Sequence, residues 1–461
     1  MGTGRARRRR RPAAVDRISD LPDEILHIIL LRLPSTAEAA RTSVLSRRWR
    51  RVWPHVPALS FSDGDQALGV SIYDAIDAAL DACAAPTLSR LKISIGNEYK
   101  CRDPCARVLS WLRFASERLA GELSLRFTCS FHLIKIQPTM EAELPVCQRV
   151  TTIDLHLPWL APKLRIPAAG SFAALRVLRI SDSSVETDSL RSDSLERLKL
   201  GSEIHGEVTV QAPRLVRLQM TLLAAQKMHG LHIAAPDLVE VIWHDTYDSQ
   251  CHEIVEAGRH LRRLEVLYYL CQDEPTTPTM AGLFQRFDTV DELNLQLNIP
   301  WVGDGEGFEY EEFWLDTAKL PQCKVLKICL TTYQPHAFEA ILSHLLRKCS
   351  SARRLVFLWI SAGKVPNYPR YKDEQAECTC CGQLGTDDGV VMDSLEEIEL
   401  NFSRIGVREE GLVKLLVQCG GASLRRLDIH MQRGAHILST GARKRIVGFC
   451  RPETRVDFYA S

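Results

Sequence analysis

The chain has 461 residues, which is long enough for more than one domain and for a large buried core. Its formal net charge of +1 argues against a dedicated nucleic-acid binder, because such domains are usually strongly basic. The hydrophobic share of 45% is ordinary for a globular protein, and no apolar run approaches the roughly 18 residues that a membrane-spanning helix needs.

The chain begins with a basic segment, which we expect to be a disordered tail over residues 1–15. Most of its charge lies in one run, which is Arg7, Arg8, Arg9, Arg10 and Arg11. The run indicates either a nuclear import signal or a solvated tail, with nucleic-acid contact as a further alternative. Because no signal-peptide apolar segment follows it, we expect a nuclear and/or cytoplasmic protein whose 15 cysteines are mostly reduced.

The next segment, residues 16–56, begins with a predicted amphipathic helix. Pro22 suits the first turn of a helix, where its missing N–H leaves no hydrogen bond unmade. Apolar residues then recur at i, i+3, i+4 and i+7, which indicates one helical face made of Leu26, Ile29, Leu30 and Leu33. Pro34 ends this helix.

Two further short helices are predicted in the same segment. Ser35 with Glu38 resembles a capping box and begins a helix that runs to Leu45. Ser46 can cap a third helix that carries Trp49. Three short helices cannot bury this much apolar surface among themselves, so the rest of the chain or a partner must cover the remainder.

Two strings of residues in this segment carry a resemblance to a known family. They are Leu21-Pro22-Asp23-Glu24-Ile25-Leu26 and Val44-Leu45-Ser46-Arg47-Arg48-Trp49. Residues 16–56 thus resemble an F-box, which implies docking in a hydrophobic groove of the Skp-type adaptor of a cullin-based ubiquitin ligase. The implied adaptor-binding residues are Leu21, Pro22, Ile25, Leu26, Ile29, Leu30, Leu33, Pro34, Val44, Leu45, Ser46, Trp49 and Trp53. The sequence leaves open which of them face the adaptor and which form the segment's own core.

We expect a helical linker over residues 57–86 and then a repeat over residues 87–392. In each copy, two residues separate the first apolar position from the second, and one residue separates the second from the third. The copies from Leu175 to Leu261 begin 20, 20, 23 and 23 residues apart. The copies are Leu88-Leu91-Ile93, Val150-Ile153-Leu155, Leu175-Leu178-Ile180, Leu195-Leu198-Leu200, Leu215-Leu218-Met220, Leu238-Val241-Trp243, Leu261-Leu264-Val266, Val290-Leu293-Leu295, Cys323-Leu326-Ile328, Ala352-Leu355-Phe357, Leu395-Ile398-Leu400 and Leu424-Leu427-Ile429. A slipped copy, Leu119-Leu123-Leu125, lies between the first two.

A period in the twenties with this pattern is typical of leucine-rich repeats. The fold class is therefore predicted as α/β. A three-helix F-box would precede a leucine-rich-repeat solenoid, with parallel strands on the concave face and helices or loops on the convex face. Cys323 and Cys329 fall where a strand would place a small buried hydrophobe.

Two stretches interrupt the repeat, near residues 301–316 and 361–392. The first is acidic and aromatic, which fits either a solvated insertion or a loop that meets a basic partner. The second contains Cys378, Cys380 and Cys381. Structural zinc normally uses four Cys or His ligands in paired spacings, and no second pair lies close by, so free thiols are favoured over zinc.

Residues 393–461 carry a second resemblance. Ser394-Leu395-Glu396-Glu397-Ile398-Glu399-Leu400, a helical pattern with Leu412, Leu415, Leu416 and Cys419, and Ser423-Leu424-Arg425-Arg426-Leu427 follow one another. They resemble the FBD-type tail that ends many plant F-box/leucine-rich-repeat proteins. The physical pattern is strand, turn, helix and strand, which is one more repeat unit that could cap a solenoid.

No catalytic, phosphate-binding or metal-binding motif accompanies these features, so no cofactor, metal or catalytic residue is predicted. The F-box resemblance implies the substrate-recognition subunit of an SCF-type (Skp–cullin–F-box) E3 ubiquitin ligase, in which the F-box docks the adaptor and the solenoid binds a target protein. Two alternatives stay open. One is a scaffold or adaptor-binding protein that sends nothing to degradation, and the other is a nuclear nucleic-acid-associated factor using the arginine run.

Overall fold

The computed structural model describes residues 18, 21–65, 71–96, 104–128, 141–144, 146, 148–157, 163–167, 172–187, 189–205, 207–221, 230–244, 246–269, 279–299, 311–332, 339–361, 389–402, 407–431 and 439–460. The chain divides into two compact units, Met1–Pro162 and Lys163–Ser461. Within the described ranges, none of the helices has both the length and the apolar content that crossing a bilayer requires. The molecule is mixed α/β, with a helical N-terminal region and long runs of parallel strands.

The first unit begins with short helices and then alternates strands with helices. Its helices are α1 (Asp23–Leu31), α2 (Thr36–Arg41), α3 (Trp49–Val52), α4 (Ile72–Ala82) and α5 (Pro104–Arg118). Its strands are β1 (Ala58–Ser62), β2 (Leu88–Ile95), β3 (Leu119–Phe127), β4 (Glu141–Glu143) and β5 (Thr152–His156). Single 3-10 turns lie at Thr42–Val44, Trp53–His55 and Asp63–Asp65. Strands β1, β2, β3 and β5 pair in that order, and each pair is parallel.

The expected helical linker over residues 57–86 is wrong in its first part, because strand β1 precedes helix α4 there. In the pairing of β1 with β2, Leu59 lies opposite Leu91 and Phe61 lies opposite Ile93. Val56, Leu59 and Phe61 are all buried and have the spacing of the repeat. The repeat therefore begins one unit earlier than the sequence analysis placed it; the other predicted domain limits stay predictions.

The slipped copy of the repeat corresponds to an irregularity between β2 and β3. Leu88 lies opposite Leu119, whereas Arg90 lies opposite Glu122, so the register shifts between these two pairs. A Cβ atom on Gly121 would lie only 2.0 Å from the carbonyl oxygen of Ser89. Only glycine lets the two backbones approach this closely, and β3 therefore accommodates one extra residue here.

The second unit contains more strands than helices. Its strands are β6 (Lys163–Arg165), β7 (Val177–Glu186), β8 (Ser189–Arg191), β9 (Arg197–His205), β10 (Glu207–Gln211), β11 (Arg217–Met220), β12 (Gly230–Ala234), β13 (Glu240–Trp243), β14 (His252–Val255), β15 (His260–Tyr269), β16 (Thr289–Ile299), β17 (Gln322–Thr332), β18 (Arg354–Ser361), β19 (Glu397–Phe402), β20 (Arg426–Met431) and β21 (Arg455–Ala460). Its helices are α6 (Ala281–Arg286), α7 (Glu311–Asp316), α8 (Glu339–Lys348), α9 (Val407–Gly420) and α10 (Thr440–Phe449).

The strands of the second unit that carry the repeat pattern form one parallel sheet, which β6 and β21 also join. Its order is β6, β7, β9, β11, β13, β15, β16, β17, β18, β19, β20 and β21. Equivalent repeat positions lie opposite one another, as Leu178 does to Leu198 and Leu198 to Leu218. Every apolar position of the predicted copies is at most 4% exposed, so within each unit these side chains form a buried stack.

A second parallel sheet was not foreseen. Strands β8, β10, β12 and β14 pair in that order, and their inward residues are buried, namely Leu190, Val208, Val210, Leu231, Ile233 and Ile254. The expectation of helices or loops outside the repeat strands is therefore wrong for these units. They are the ones with steps of 20 to 23 residues, and a strand covers about 3.3 Å per residue against 1.5 Å in a helix. In a short unit, a strand can therefore connect one repeat strand to the next, where a helix of the same number of residues would be too short. Helix α6 appears in the next, longer unit.

The C-terminal region contains the predicted strand, helix and strand as β19, α9 and β20. Leu412, Leu416 and Cys419 of the predicted helical face are buried. Helix α10 and strand β21 then add a further unit, and β21 pairs in parallel with β20. The repeat pattern did not reveal this unit because Glu453 occupies its first apolar position.

One buried carboxylate joins strands β15 and β16 to His244, the residue that follows β13. Glu265 on β15 accepts hydrogen bonds from Arg263 at 2.6 Å, Asn294 at 2.9 Å and Gln296 at 2.6 Å, and His244 lies 3.3 Å away. Burial alone would raise the pKa of this carboxyl, but hydrogen bonds from His244, Arg263 and Asn294 outweigh it and lower the pKa from 4.5 to about 2. The carboxylate thus holds neighbouring strands in register as an anion.

Cys329 lies beside this network and not in the core. It is half-buried one position beyond the inward Ile328, and it lies opposite Gln296. Burial and the nearby Glu265 charge raise the pKa of its thiol. The expectation of a buried hydrophobe is confirmed for Cys323 and is wrong for Cys329, because alternation along β17 turns Cys329 to the outer face.

We predict that Gly121→Ala destabilises the protein by about 1–3 kcal/mol, because the added Cβ meets a backbone carbonyl that has no room to move. The free energy of unfolding from urea titration measures this. Gly411→Ala is the matched control, since a Cβ there meets no atom within 4 Å. It lies inside helix α9, so alanine should stabilise by about 0.5–1 kcal/mol. Equal effects of the two substitutions would contradict the assigned role of Gly121.

We predict that Glu265 makes stability fall in acid. Its pKa is about 2 in the folded chain, below the ordinary 4.5, so its contribution is complete above pH 4.5 and is lost as the pH falls towards 2. At neutral pH, Glu265→Gln should cost about 1–3 kcal/mol of unfolding free energy. This difference from the natural chain should shrink steadily in denaturation curves recorded between pH 5 and about pH 2.5. Glu453→Gln removes an exposed carboxylate and should leave the free energy of unfolding at neutral pH essentially unchanged.

Candidate functional site

The F-box-like segment, residues 16–56, has a small core of its own. The core consists of Leu26, Leu30, Ala39, Trp49, Val52 and Val56. Leu21, Leu33 and Trp53 are partly buried against it. Helix α1 supplies the residues spaced three and four apart, and α2 and α3 close over them, so the segment needs no partner to bury this face.

Arg48 joins the start of α1 to the start of α3. Its guanidinium donates to the Leu21 carbonyl at 2.5 Å and to the Asp23 carboxylate at 2.6 Å. Asp23 lies in the first turn of α1, where a carboxylate also favours the positive end of the helix dipole. This contact fixes where the exposed side of α1 lies relative to the turn at Thr42–Val44.

The helix caps follow the sequence prediction only in part. The Ser35 hydroxyl accepts from the Glu38 N–H at 3.3 Å, which caps α2 as expected. The Glu38 carboxylate pairs with Arg41, so it does not complete the reciprocal capping box. Helix α2 ends at Arg41 and not at Leu45, and a 3-10 turn continues the chain. The Ser46 hydroxyl accepts from the Trp49 N–H at 3.5 Å, at the start of α3.

The tighter turn leaves two apolar side chains in solvent. Val44 is 84% exposed and Leu45 is 65% exposed. Helix α1 adds an exposed apolar side, because Ile25, Ile28 and Ile29 point away from the face that carries Leu26 and Leu30. A helix that is apolar on both sides is unusual at a protein surface and indicates a surface meant to be covered.

The structure divides the predicted adaptor-binding residues into groups. The exposed ones are Pro22, Ile25, Ile29, Pro34, Val44 and Leu45. Leu21, Leu33, Ser46 and Trp53 are partly exposed. Leu26, Leu30 and Trp49 are at most 3% exposed. The sequence left open which residues form the core, and the structure places the last three there, because their side chains are enclosed by this segment.

Sequence reasoning missed three exposed apolar residues in the same segment. They are Ile18, Ile28 and Leu31. Ile25, Ile28 and Ile29 share the i, i+3, i+4 spacing, so a search for a second apolar face on α1 would have found Ile28. The resemblance alone gave no reason to add it.

Several sequence predictions fall outside the residues that the structure describes. These are the arginine run at Arg7–Arg11, the cysteines at Cys378, Cys380 and Cys381, and most of the two insertions. Within the described part of the chain, no group of three or more His, Cys, Asp or Glu side chains has the arrangement of a metal site.

Comparison with protein families matches residues 18–58 to the F-box domain. Three similar proteins come from Arabidopsis thaliana. The F-box protein At5g03100 is 30% identical over 182 residues, which cover 40% of this chain and 53% of that protein. The F-box/FBD/LRR-repeat protein At2g04230 is 28% identical over 243 residues, covering 44% of this chain and 53% of that protein.

The third relative, the F-box/FBD/LRR-repeat protein At5g18770, is 25% identical over 363 residues, covering 74% of this chain and 71% of that protein. The chain spans about half the length of the first two relatives. The F-box match coincides with the segment that has its own core and an exposed apolar surface. The family comparison thus shows an F-box domain at residues 18–58, and the relatives show that the chain is similar to plant proteins named F-box/FBD/LRR-repeat proteins.

Proposed function

We propose that this protein is the substrate-recognition subunit of an SCF-type E3 ubiquitin ligase. F-box domains generally bind Skp-type adaptors, and the F-box at residues 18–58 would do so here. The parallel strands would act as a leucine-rich-repeat solenoid that holds a target protein. The chain would be non-catalytic, and a ubiquitin-loaded conjugating enzyme elsewhere in the complex would supply the chemistry.

The observation that carries the proposal is the exposed apolar surface of the F-box. Its core is complete without Ile25, Ile28, Ile29, Val44 and Leu45, and these side chains nevertheless stand in solvent. Exposing them costs roughly 25 cal/mol per Å² of apolar area relative to burial. An adaptor groove that covers them would recover this free energy, which supports docking through this side of the segment.

The division of the F-box residues refines the proposed contact set. Pro22, Ile25, Ile28, Ile29, Val44 and Leu45 would face the adaptor. Leu26, Leu30 and Trp49 would act indirectly, because they hold α1 and α3 in place from inside. A substitution in the first group should weaken binding without unfolding the segment, whereas one in the second should do both.

The repeat region would contribute by positioning the target. A continuous stack of buried residues makes a stiff support, and its outward strand residues are free to contact a target. Because the same chain would hold both adaptor and target, the target lysines would gain a high effective concentration near the activated ubiquitin. We further propose nuclear and/or cytoplasmic action, with Arg7–Arg11 as the import signal.

We predict that a Val44→Lys, Leu45→Lys double variant loses adaptor binding. Both side chains are exposed, so the fold should persist, while two ammonium groups would have to enter an apolar groove. Truncating central interface residues typically costs 2 kcal/mol or more, so affinity should fall by roughly thirtyfold or more. Isothermal titration of the full chain with a Skp-type adaptor measures this.

The matched control is Leu315→Lys with Val447→Lys, because these residues are 75% and 48% exposed and lie outside the F-box. It should bind the adaptor like the natural chain. Failure of a well-folded natural chain to bind any Skp-type adaptor would reject the proposal. Adaptor binding without turnover of any captured protein would instead favour a scaffold that sends nothing to degradation.

A further inference from the structure

The outward face of the large sheet in the second unit has a regular charge pattern. In each repeat, two outward residues flank the middle apolar position, as Val177 and Arg179 flank Leu178. We call these the flanking positions. Parallel pairing places them in two columns that run across neighbouring strands, so each charge faces its counterpart on the next strand.

Most cations at the flanking positions have an acidic partner. The pairs are Arg217 with Glu240, Arg263 with Glu265, Lys327 with Glu292, Arg354 with Glu399, Arg426 with Asp428, and Arg455 with Asp457. The acidic residue lies on the same strand or a neighbouring one. From β11 onward the sheet therefore neutralises its own charges.

Strands β7 and β9 break this pattern. Their flanking cations are Arg179, Arg197 and Lys199, and none of the ion pairs among the described residues includes them. The nearest acidic neighbour in sequence, Glu196, accepts hydrogen bonds from Nε and Nη2 of Arg176, each at 2.9 Å. The positive charge of Arg197 also acts on Glu196, but Arg176 holds that carboxylate. None of the three cations therefore has an ion pair of its own in the part of the chain that the structure describes.

The register also brings like charges together. Arg179 lies directly opposite Lys199, and Arg197 lies directly opposite Arg217. Like charges opposite each other destabilise a sheet. The cations are only partly buried, or exposed for Arg197, so no internal group covers their charge. Like charges that destabilise the sheet, and that lack the ion pairs seen on the other strands, are expected where a surface binds a partner.

We propose that the cations of β7 and β9 bind a short acidic segment, rich in aspartate or glutamate, of the protein that this subunit recruits. The inference rests on the proposed function for the statement that the bound protein is a ubiquitination target. Its carboxylates would replace the missing acidic partners of Arg179, Arg197 and Lys199. Guanidinium groups suit this role, since their planar donors match a carboxylate with two parallel hydrogen bonds.

The size and borders of the cationic surface favour a peptide over a nucleic acid. Neighbouring strands lie about 4.8 Å apart, and residues two apart on one strand lie about 7 Å apart, so the three cations fit beside a few extended residues. From β11 onward the cations are already paired with carboxylates, so the unpaired positive charge does not continue along the sheet as a long polyanion would require. Nucleic-acid sites usually neutralise more phosphates than this surface can reach.

The test uses the full chain with Arg5 and Arg7–Arg11 replaced by glutamine, because the basic tail would itself attract an acidic probe. The probe is fluorescein-labelled decaglutamate, followed by fluorescence anisotropy at about 50 mM salt, where exposed charges are weakly screened. Decaglutamine serves as the uncharged probe. We expect decaglutamate to bind, decaglutamine not to bind, and the affinity to fall as salt is added.

Two triple variants of this background isolate the site. Arg179→Gln, Arg197→Gln, Lys199→Gln should weaken decaglutamate binding about tenfold or more. Arg354→Gln, Arg426→Gln, Arg455→Gln removes as many flanking cations, but paired ones, and should leave binding within about twofold. The first variant should melt at the same temperature as its background or higher, because repulsion is relieved. The second should melt lower, because ion pairs are lost.

Three results would overturn the inference. The background chain fails to bind decaglutamate, the first variant binds it as tightly as the background does, or the first variant melts lower, which would show that the cations are structural. Tighter binding of random single-stranded DNA, lost in the first variant, would assign the cations to nucleic acid instead. Adaptor affinity is measured on the background chain as well, and failure of that chain to bind the adaptor would bear on the proposed ligase function alone.

Discussion

The structure depends on the in-register stacking of buried apolar side chains along parallel strands. Leu178, Leu198, Leu218 and Val241 lie opposite one another on successive strands and are fully buried or nearly so. Slipping any strand by one residue would turn its apolar residues outward, so the stack fixes the register. Once the register is fixed, it also determines which outward residues lie next to one another. The charge pattern on the outward face of the sheet is therefore set by the buried stack.

The F-box uses its apolar residues in two ways, as a small core and as an exposed surface. Its few residues close a small core around Leu26, Leu30 and Trp49, and Arg48 holds the helix ends together. The remaining apolar residues, and Val44 most of all, are not buried by that core. A segment of this size cannot cover all of its apolar surface, so part of that surface stays exposed.

Charge has opposite uses in different parts of the sheet. Around Glu265, hydrogen-bond donors converge on one buried carboxylate and stabilise its anionic form, so charge there strengthens the fold. On β7 and β9 the cations Arg179 and Lys199 lie opposite each other, and among the described residues neither has an ion-pair partner. Some charges therefore hold strands together, whereas others have no ion-pair partner within the described chain. The composition and the net charge of +1 do not distinguish the two kinds.

The sequence by itself determined the inward half of the molecule. Spacing of three and two residues between apolar positions predicted the buried strand residues from Leu88 to Ile429, because burial demands apolar side chains at fixed intervals. Only the tertiary structure decided the rest. It replaced expected helices by β8, β10, β12 and β14, separated buried Leu26 from exposed Ile25 and Val44, and set Arg179 opposite Lys199. These outcomes depend on which segments become neighbours, and exposed residues carry no periodic signal that reveals their neighbours.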